Sequence, residues 1–162
     1  AVERLGYEDV FVGGHPMAAG LSMEEKNIEL FRRRLNDNCT LTEQDLIPKI
    51  MIDVPMPISY LSKKLTEQLK VLEPFGKGNS KPLFAQKNLR AVGIRVLGRN
   101  RNVAKMLLID ENGIKMDAVY FGEAQEFVDF VQAHDTISVT YYPEINVFQG
   151  RENLQVVIKN YC

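Results

Sequence analysis

The hydrophobic pattern of the chain changes at Pro82, beyond which apolar and polar residues alternate in short runs. Five of these runs are rich in strand-forming residues, and turn signals separate them at residues 98–102, 112–113 and 149–150. The runs cover residues 82–98, 102–110, 113–121, 136–142 and 153–161. Residues 122–135, between the third and fourth runs, carry apolar side chains at helical spacing. The pattern therefore predicts five strands with one helix after the third.

This element order is that of an OB-fold, a small Greek-key β-barrel. The alternative is a generic α+β sheet domain, in which the same elements do not close into a barrel. We favour the barrel and expect it to occupy residues 83–162.

The first 40 residues follow a different pattern. Residues 9–12, DVFV, predict a strand that stops at Gly13-Gly14. Pro16 then suits a first helical position and Gly20 a helix end, so a tight turn and one or two turns of helix are expected to follow.

A second helix is expected over residues 22–39. This segment opens with the capping-box pattern Ser22-x-x-Glu25. Its apolar positions Ile28, Phe31 and Leu35 fall on one helical face, with three consecutive arginines mostly off that face.

Residues 41–82 predict a connecting unit rather than a low-complexity linker. Residues 47–57, IPKIMIDVPMP, are expected to be extended, because each proline biases the residue before it away from helical geometry. A leucine stripe at helical spacing follows and stops before Pro74, which predicts a helix from about Ser59 to Leu72. We expect residues 75–82, FGKGNSKP, to form a loop.

The composition excludes several classes of protein but does not identify the class to which the chain belongs. Of 162 residues, 45% are hydrophobic and 25% charged, which is typical of a globular protein with a core. The formal charge of -1 neither indicates nor excludes a nucleic-acid partner. No apolar run is long enough to span a membrane, and the two cysteines, Cys39 and Cys162, suggest neither a zinc site nor a disulfide framework. We expect a cytoplasmic protein, and the absence of an initiator Met predicts a fragment.

Two motifs resemble those of one family. GGHPMAAGLS, from Gly13 to Ser22, resembles the GGHxxAAG motif of the DHHA1 domain in the DHH phosphoesterase superfamily. LEPFGKGNSKPLF, from Leu72 to Phe84, resembles the more specific LEPFGxGNxxPxF signature that precedes the OB domain of the RecJ family of single-stranded-DNA exonucleases. The resemblance implies an α+β chain in which residues 1–40 end a DHHA1 domain and residues 41–162 form a RecJ-type OB domain.

The resemblance also implies a function and a missing part. RecJ-type enzymes degrade single-stranded DNA from the 5′ end in DNA repair and recombination, using Mn²⁺ or Mg²⁺ held by Asp and His residues of an N-terminal DHH domain. This chain contains no Asp-His-His sequence, and its acidic pairs Glu24-Glu25 and Asp110-Glu111 have no histidine nearby in sequence. We therefore expect no catalytic residue and no metal ligand here, and no cleavage of DNA by this polypeptide alone.

Gly13, Gly14 and His15 are the candidate phosphate-binding residues. Glycines let a phosphate approach backbone N–H groups, a helix N-terminus favours an anion, and an imidazole donates a further hydrogen bond. Spacing alone favours the alternative, a tight turn in which His15 caps the helix. The resemblance, in which this motif faces the metal domain, assigns the three residues to the phosphate backbone near the scissile bond.

The predicted barrel offers a second set of candidates. OB-folds bind nucleic acid on the face of their second and third strands and with the loops between strands one and two and between strands four and five. These loops are expected at residues 98–102 and 143–153. The candidate DNA-binding residues are Arg95, Arg99, Arg101, Lys105, Phe148 and Arg151. The alternative for each arginine is a solvated surface position, and Tyr120, Phe121 and Tyr141 are interpreted as core or rim packing.

Single-stranded DNA is the expected partner, and two other classes stay open. One is a stand-alone single-strand-binding or protein-binding OB module without nuclease activity. The other is a protein-interaction module that docks a single-strand-binding protein or a helicase. Salt dependence distinguishes DNA binding from protein docking, because phosphate contacts weaken strongly with salt.

Overall fold

The computed structural model describes residues 11–15 and 18–162. The chain divides into two compact units, Ala1–Lys49 and Ile50–Cys162. No helix in the described ranges is long and apolar enough to cross a membrane.

The first unit contains a β-hairpin followed by one helix. Strands β1 (Phe11–His15) and β2 (Ala18–Ser22) pair antiparallel, with Gly13 opposite Gly20. The helix predicted after Pro16 is therefore wrong, because Ala18–Ser22 is a strand; Pro16 itself lies outside the described residues. A helix of one or two turns leaves most of its backbone groups unpaired, whereas the hairpin pairs five residues of each strand.

The second predicted helix is present but shorter than expected. A 3-10 turn (Glu25–Asn27) leads into α1 (Ile28–Asp37). Ser22 belongs to β2 and does not cap the helix, so the capping-box prediction is wrong. Phe31 is buried, while Ile28 and Leu35 are exposed. A 3-10 turn at Glu43–Leu46 ends the regular structure of this unit.

The second unit is a mixed sheet with two helices. Its elements are β3 (Val54–Pro55), α2 (Lys63–Leu69), β4 (Phe84–Leu97), β5 (Val103–Ile109), β6 (Lys115–Phe121), α3 (Ala124–Gln132), β7 (Ile137–Phe148) and β8 (Arg151–Tyr161). Short 3-10 turns occur at Ile58–Tyr60 and Lys70–Leu72. Each of the five predicted β-rich runs overlaps one of the strands β4 to β8, and the predicted helix lies between the third and fourth. The two-residue β3 is a sixth strand that the count of five did not include.

The pairings of β4, β5, β6, β8 and β7 form a ring, because the last of these strands also pairs with the first. The order is β3-β4-β5-β6-β8-β7, and β4 also pairs with β7. The β3–β4 and β6–β8 pairings are parallel and the others antiparallel. Beta-4 pairs with β7 through its first half and with β5 through its second half.

Two irregularities bend β4 between its partners. The register shifts between Gln86 and Leu89, where Asn88 has a φ of 58°, and again near Gly93, which has a φ of 63°. Bulges of this kind bend a strand and increase its twist. One long strand can therefore contribute to both ends of the sheet.

The core lies inside these pairings and beneath α3. Phe127 of α3 is fully buried and stacks on Tyr120 with ring centroids 4.8 Å apart. Tyr141 of β7 is also fully buried, and its hydroxyl donates a 2.6 Å hydrogen bond to the carbonyl oxygen of Met56. Burial raises the pKa of the Tyr141 phenol above its ordinary value.

The connecting segment is fixed to the sheet before α2 begins. The backbone N–H of the buried Ile58 donates to Oε1 of Gln86 at 2.7 Å. Ser62 caps α2, because its Oγ accepts the backbone N–H of Leu65 at 3.1 Å. The helix therefore begins at Lys63 and not at Ser59 as predicted.

The loop with the LEPFGKGNSKPLF motif is held by one asparagine. Nδ2 of Asn79 donates to the carbonyl oxygens of Leu72 and Pro74, at 2.8 and 2.9 Å. Its backbone exchanges two hydrogen bonds with Gly76. Phe75 packs edge-on against Tyr142, with ring centroids 6.1 Å apart. The Asn79 hydrogen bonds and the contact between Phe75 and Tyr142 stabilise this loop.

Candidate nucleic-acid interface

The alternation of side chains defines a surface on β4, β5 and β6 that points away from the core. On β5, Ala104, Met106 and Leu108 are buried, so Lys105 points to the opposite side of the sheet. The register then places Arg95, Lys115 and Phe121 on the same side as Lys105. We call this surface the outer face.

Arg95 and Lys105 form the basic centre of the outer face. They are directly opposite each other across the β4–β5 ladder, and both are exposed. Neither side chain has an ion-pair or hydrogen-bond partner within residues 11–15 and 18–162. Two unpaired cations side by side are suited to an anionic ligand.

The loop of residues 98–102 lies at one end of the outer face and carries Arg99 and Arg101, as predicted. The backbone N–H of Gly122 donates to the carbonyl oxygen of Asn102 at 3.0 Å, which ties the loop to the end of β6. Arg101 donates to Oε1 of Gln125 on α3 at 3.3 Å. Arg101 is therefore positioned by a neutral side chain.

Phe121 is a candidate that the sequence analysis missed. It was interpreted as core or rim packing, but its side chain is 57% exposed at the end of β6. It lies opposite Val103, one position along the outer face from Lys105. The signal was present in the alternation of β6, in which residues 115, 117, 119 and 121 share one side.

Phe148 and Arg151 occupy the other end of this side of the sheet. The segment 143–153 was predicted to be a loop, but β7 and β8 continue through it and only Gln149 and Gly150 form the turn. Phe148 and Arg151 are therefore a cross-strand pair at the end of a hairpin. Because β8 runs parallel to β6, its first residue lies at the end of β6 away from Phe121.

The predicted DNA-binding residues thus fall into two groups. Arg95, Lys105 and the loop of Arg99 and Arg101 adjoin the basic centre, while Phe148 and Arg151 lie at the far end. Asp117 lies between the groups on β6 and faces the same side. This side of the sheet is therefore cationic on β4 and β5, and an acidic residue, Asp117, separates these cations from β8.

Gly13, Gly14 and His15 lie in the first unit, in β1. They belong to a paired strand and not to the helix N-terminus on which the physical argument for phosphate binding depended. Their assignment to a phosphate site now rests on the resemblance of the motif alone.

The acidic residues do not form a metal site in the described part of the chain. Within it, no cluster of three or more His, Cys, Asp or Glu side chains is placed to hold an ion. Asp110 instead shapes the turn between β5 and β6, since its Oδ1 accepts the backbone N–H groups of Asn112 and Ile114 at 2.9 and 2.8 Å.

A separate open concavity of about 730 Å³ lies beside β3, among the first residues of β4 and β7 and the last residues of β8. Its walls are mainly apolar, and Lys87 is the one charged residue among those that line it. It includes none of the predicted site residues. A polyanion therefore finds more cations on the outer face than in this concavity.

The fold places the second unit in the class of OB domains, with a helix between the third and fourth of the five long strands. Residues 52–160 match the RecJ OB domain family. The chain belongs to this family.

Relatives agree with the family assignment. The chain is 31% identical over 150 residues to the single-stranded-DNA-specific exonuclease RecJ of Bacillus subtilis. The aligned residues are 91% of this chain and 19% of that protein. The chain is also 29% identical over 154 residues to the Escherichia coli protein of the same name, covering 91% and 26%. The chain therefore spans about a fifth to a quarter of these relatives.

A solved structure shows the same fold. The crystal structure of RecJ in complex with Mn²⁺ from Thermus thermophilus superposes with a TM-score of 0.67 at 21% identity, covering 94% of this chain and 22% of that one.

Proposed function

We propose that this chain is the substrate-binding C-terminal region of a RecJ-type, single-stranded-DNA-specific 5′–3′ exonuclease that acts in DNA repair and recombination in the cytoplasm. The observation that carries the proposal is the pair of unpartnered cations, Arg95 and Lys105, beside an exposed aromatic ring at Phe121. Binding of single strands needs cations for the phosphates and aromatic rings for the bases.

The proposal divides the chain between two parts of the enzyme. Residues 1–40 end a DHHA1 domain, and residues 41–162 form the OB domain, with β4 to β8 as a closed five-stranded barrel. The ring of pairings through β4 supports the barrel. The motif from Gly13 to Ser22 supports the DHHA1 assignment, in which Gly13, Gly14 and His15 contact the phosphate backbone near the scissile bond.

The catalytic metal belongs to a part of the enzyme that this chain does not span. RecJ crystal structures with Mn²⁺ and with Mg²⁺ support a divalent ion in the parent protein. The chain alone is expected to leave labelled single-stranded DNA intact in either metal. Metal-dependent cleavage that follows the purified chain through every fraction would contradict this.

A salt series of fluorescence anisotropy tests the binding proposal. Single-stranded and duplex oligonucleotides are titrated with the wild-type chain and with Arg99→Ala/Arg101→Ala. We expect a preference for single strands that weakens with salt and with the substitution, since each phosphate contact contributes about 0.7 to the logarithmic salt slope of single-strand binding. The absence of binding at low salt would overturn the proposal and favour docking of a single-strand-binding protein or a helicase.

His15 is tested in the intact enzyme, where the metal domain is present. We expect His15→Ala to lower turnover with little change in the free energy of unfolding. Unchanged kinetics would remove His15 from the phosphate site without affecting the OB domain proposal.

A further inference from the structure

The end of the β7–β8 hairpin extends beyond the last pair that joins β6 and β8. The pairs between β6 and β8 begin at Asp117 and Gln155, and four further pairs of the hairpin extend past that level, from Ile145 opposite Leu154 to Phe148 opposite Arg151. At about 3.4 Å per residue, this arm is about 10 Å long.

The arm is narrow and held in place. Gln149 and Gly150 form its two-residue turn with φ angles of 49° and 76°, the left-handed conformations of a tight type I′ turn. On its flank, Nζ of Lys63 at the start of α2 lies 3.3 Å from Oε2 of Glu152. The turn closes the arm, and the ion pair connects it to α2.

The tip of the arm is apolar on both of its sides. Val147 and Phe148 are successive strand residues and point to opposite sides, yet they are 63% and 65% exposed. A surface on which bases lie flat requires an apolar group on one side only. Apolar side chains on both sides of a thin projection suit insertion between two stacked layers, as the wedge residues of DNA-bending proteins do.

Charge and position indicate that the inserted layers are base pairs. Arg151, opposite Phe148, has no ion-pair partner in the described chain and is placed to contact a phosphate. Phe148 and Arg151 also face the same side of the sheet as Arg95 and Lys105, so a single strand on the outer face leads toward the tip. We propose that the Val147–Phe148 tip is a wedge that unstacks the first base pair where single-stranded DNA joins a duplex. This inference rests on the proposed function of the outer face.

The test uses the 162-residue chain and tailed duplexes with 2-aminopurine, whose fluorescence rises on unstacking, in the first base pair. Duplexes with 5′ and 3′ tails are compared at protein concentrations that saturate each variant, so that differences in affinity do not enter. We expect the wild-type chain to at least double the fluorescence on one tail polarity. Val147→Ser/Phe148→Ser should lose most of that rise.

Two controls separate the wedge from general effects. Tyr60→Ser/Val71→Ser removes two large side chains elsewhere that are more exposed than Val147 and Phe148, and should keep the full rise. Arg95→Gln/Lys105→Gln should require more protein for saturation but reach the same fluorescence. Thermal melting checks that each variant is folded.

The outcomes distinguish the wedge from the binding proposal. Unchanged fluorescence with bound wild-type chain overturns the wedge, leaves single-strand binding intact and favours a protein partner for the tip. A full rise with Val147→Ser/Phe148→Ser also overturns the wedge. Absence of binding to any tailed duplex or single strand overturns both proposals.

Discussion

Arg95 of β4 lies directly opposite Lys105 of β5, so two cations occupy one cross-strand position on the outer face. Opposed like charges disfavour strand pairing by a fraction of a kcal/mol, on the order of 0.2–1. No carboxylate pairs with either side chain within the described residues. An anionic ligand would offset this repulsion.

Arg95→Gln/Lys105→Gln should therefore weaken single-strand binding while slightly stabilising the free protein. We expect the logarithmic salt slope of binding to fall by about 1.4 for two lost phosphate contacts. The free energy of unfolding in urea should rise by about 0.5 kcal/mol. Anisotropy titrations at several salt concentrations measure the first effect.

The matched control is Lys64→Gln/Lys70→Gln, which removes the same charge from α2 and the turn that follows it. This variant should bind nearly as well as the wild-type chain. Equal salt slopes for the two double variants would show that net charge, and not the opposed pair, determines the affinity.

Phe121→Ala should lower affinity for single-stranded DNA by about 1–3 kcal/mol, the value of one base–aromatic stack. The free energy of unfolding should change by less than about 0.5 kcal/mol, because the ring is largely exposed. Tyr60→Ala removes another exposed aromatic ring, which lies outside the outer face, and is the control. A similar loss of affinity in both variants would contradict a specific role for Phe121.

Short runs of strand-forming residues bounded by turn signals were sufficient to predict β4, β5, β6 and β8. The same rule failed for β7 beyond Tyr142. Pro143 and Glu144 indicate a strand end, yet Pro143 pairs with Val156 and the strand continues to Phe148. Pairing with β8 extends β7 beyond Pro143, and the sequence around Pro143 does not indicate that β8 will be its partner.

In the first 40 residues, local signals predicted a helix where the chain forms a strand. Pro16 and Gly20 are residue types typical of a helix start and a helix end, but the pairing of Phe11–His15 with Ala18–Ser22 overrides these signals. The cations of the outer face were predicted from residue type and strand order. The opposition of Arg95 and Lys105 depends on the β4 bulge near Gly93, so it could not be predicted from spacing.

Asn79→Ala should destabilise the second unit by about 1–3 kcal/mol, because the carbonyl oxygens of Leu72 and Pro74 lose their shared donor. Urea unfolding measures the loss. Ser80→Ala is the neighbouring control, since Ser80 makes neither hydrogen bond. Equal stability of the two variants would show that the LEPFGKGNSKPLF loop does not depend on its asparagine.

Tyr141 predicts a loss of stability at alkaline pH. In the unfolded chain its phenol ionises near its ordinary pKa of 10.0, whereas burial raises the pKa in the folded protein. Above pH 10.0 the unfolded state therefore binds fewer protons than the folded state, and the free energy of unfolding falls as pH rises, by up to about 1.4 kcal/mol per pH unit for this group. Below that pH the contribution is fully present.

Tyr141→Phe removes this titration together with the hydrogen bond to Met56. At neutral pH the variant should be about 1–3 kcal/mol less stable than the wild-type chain. Urea unfolding from about pH 8 to about pH 11 should show the two curves converging, because only the wild-type chain loses the contribution of this phenol. Tyr142 and Tyr161, whose pKa values are also raised by burial, remain in both proteins and cancel in the difference. Parallel curves would show that Tyr141 ionises as readily in the folded protein as in the unfolded chain.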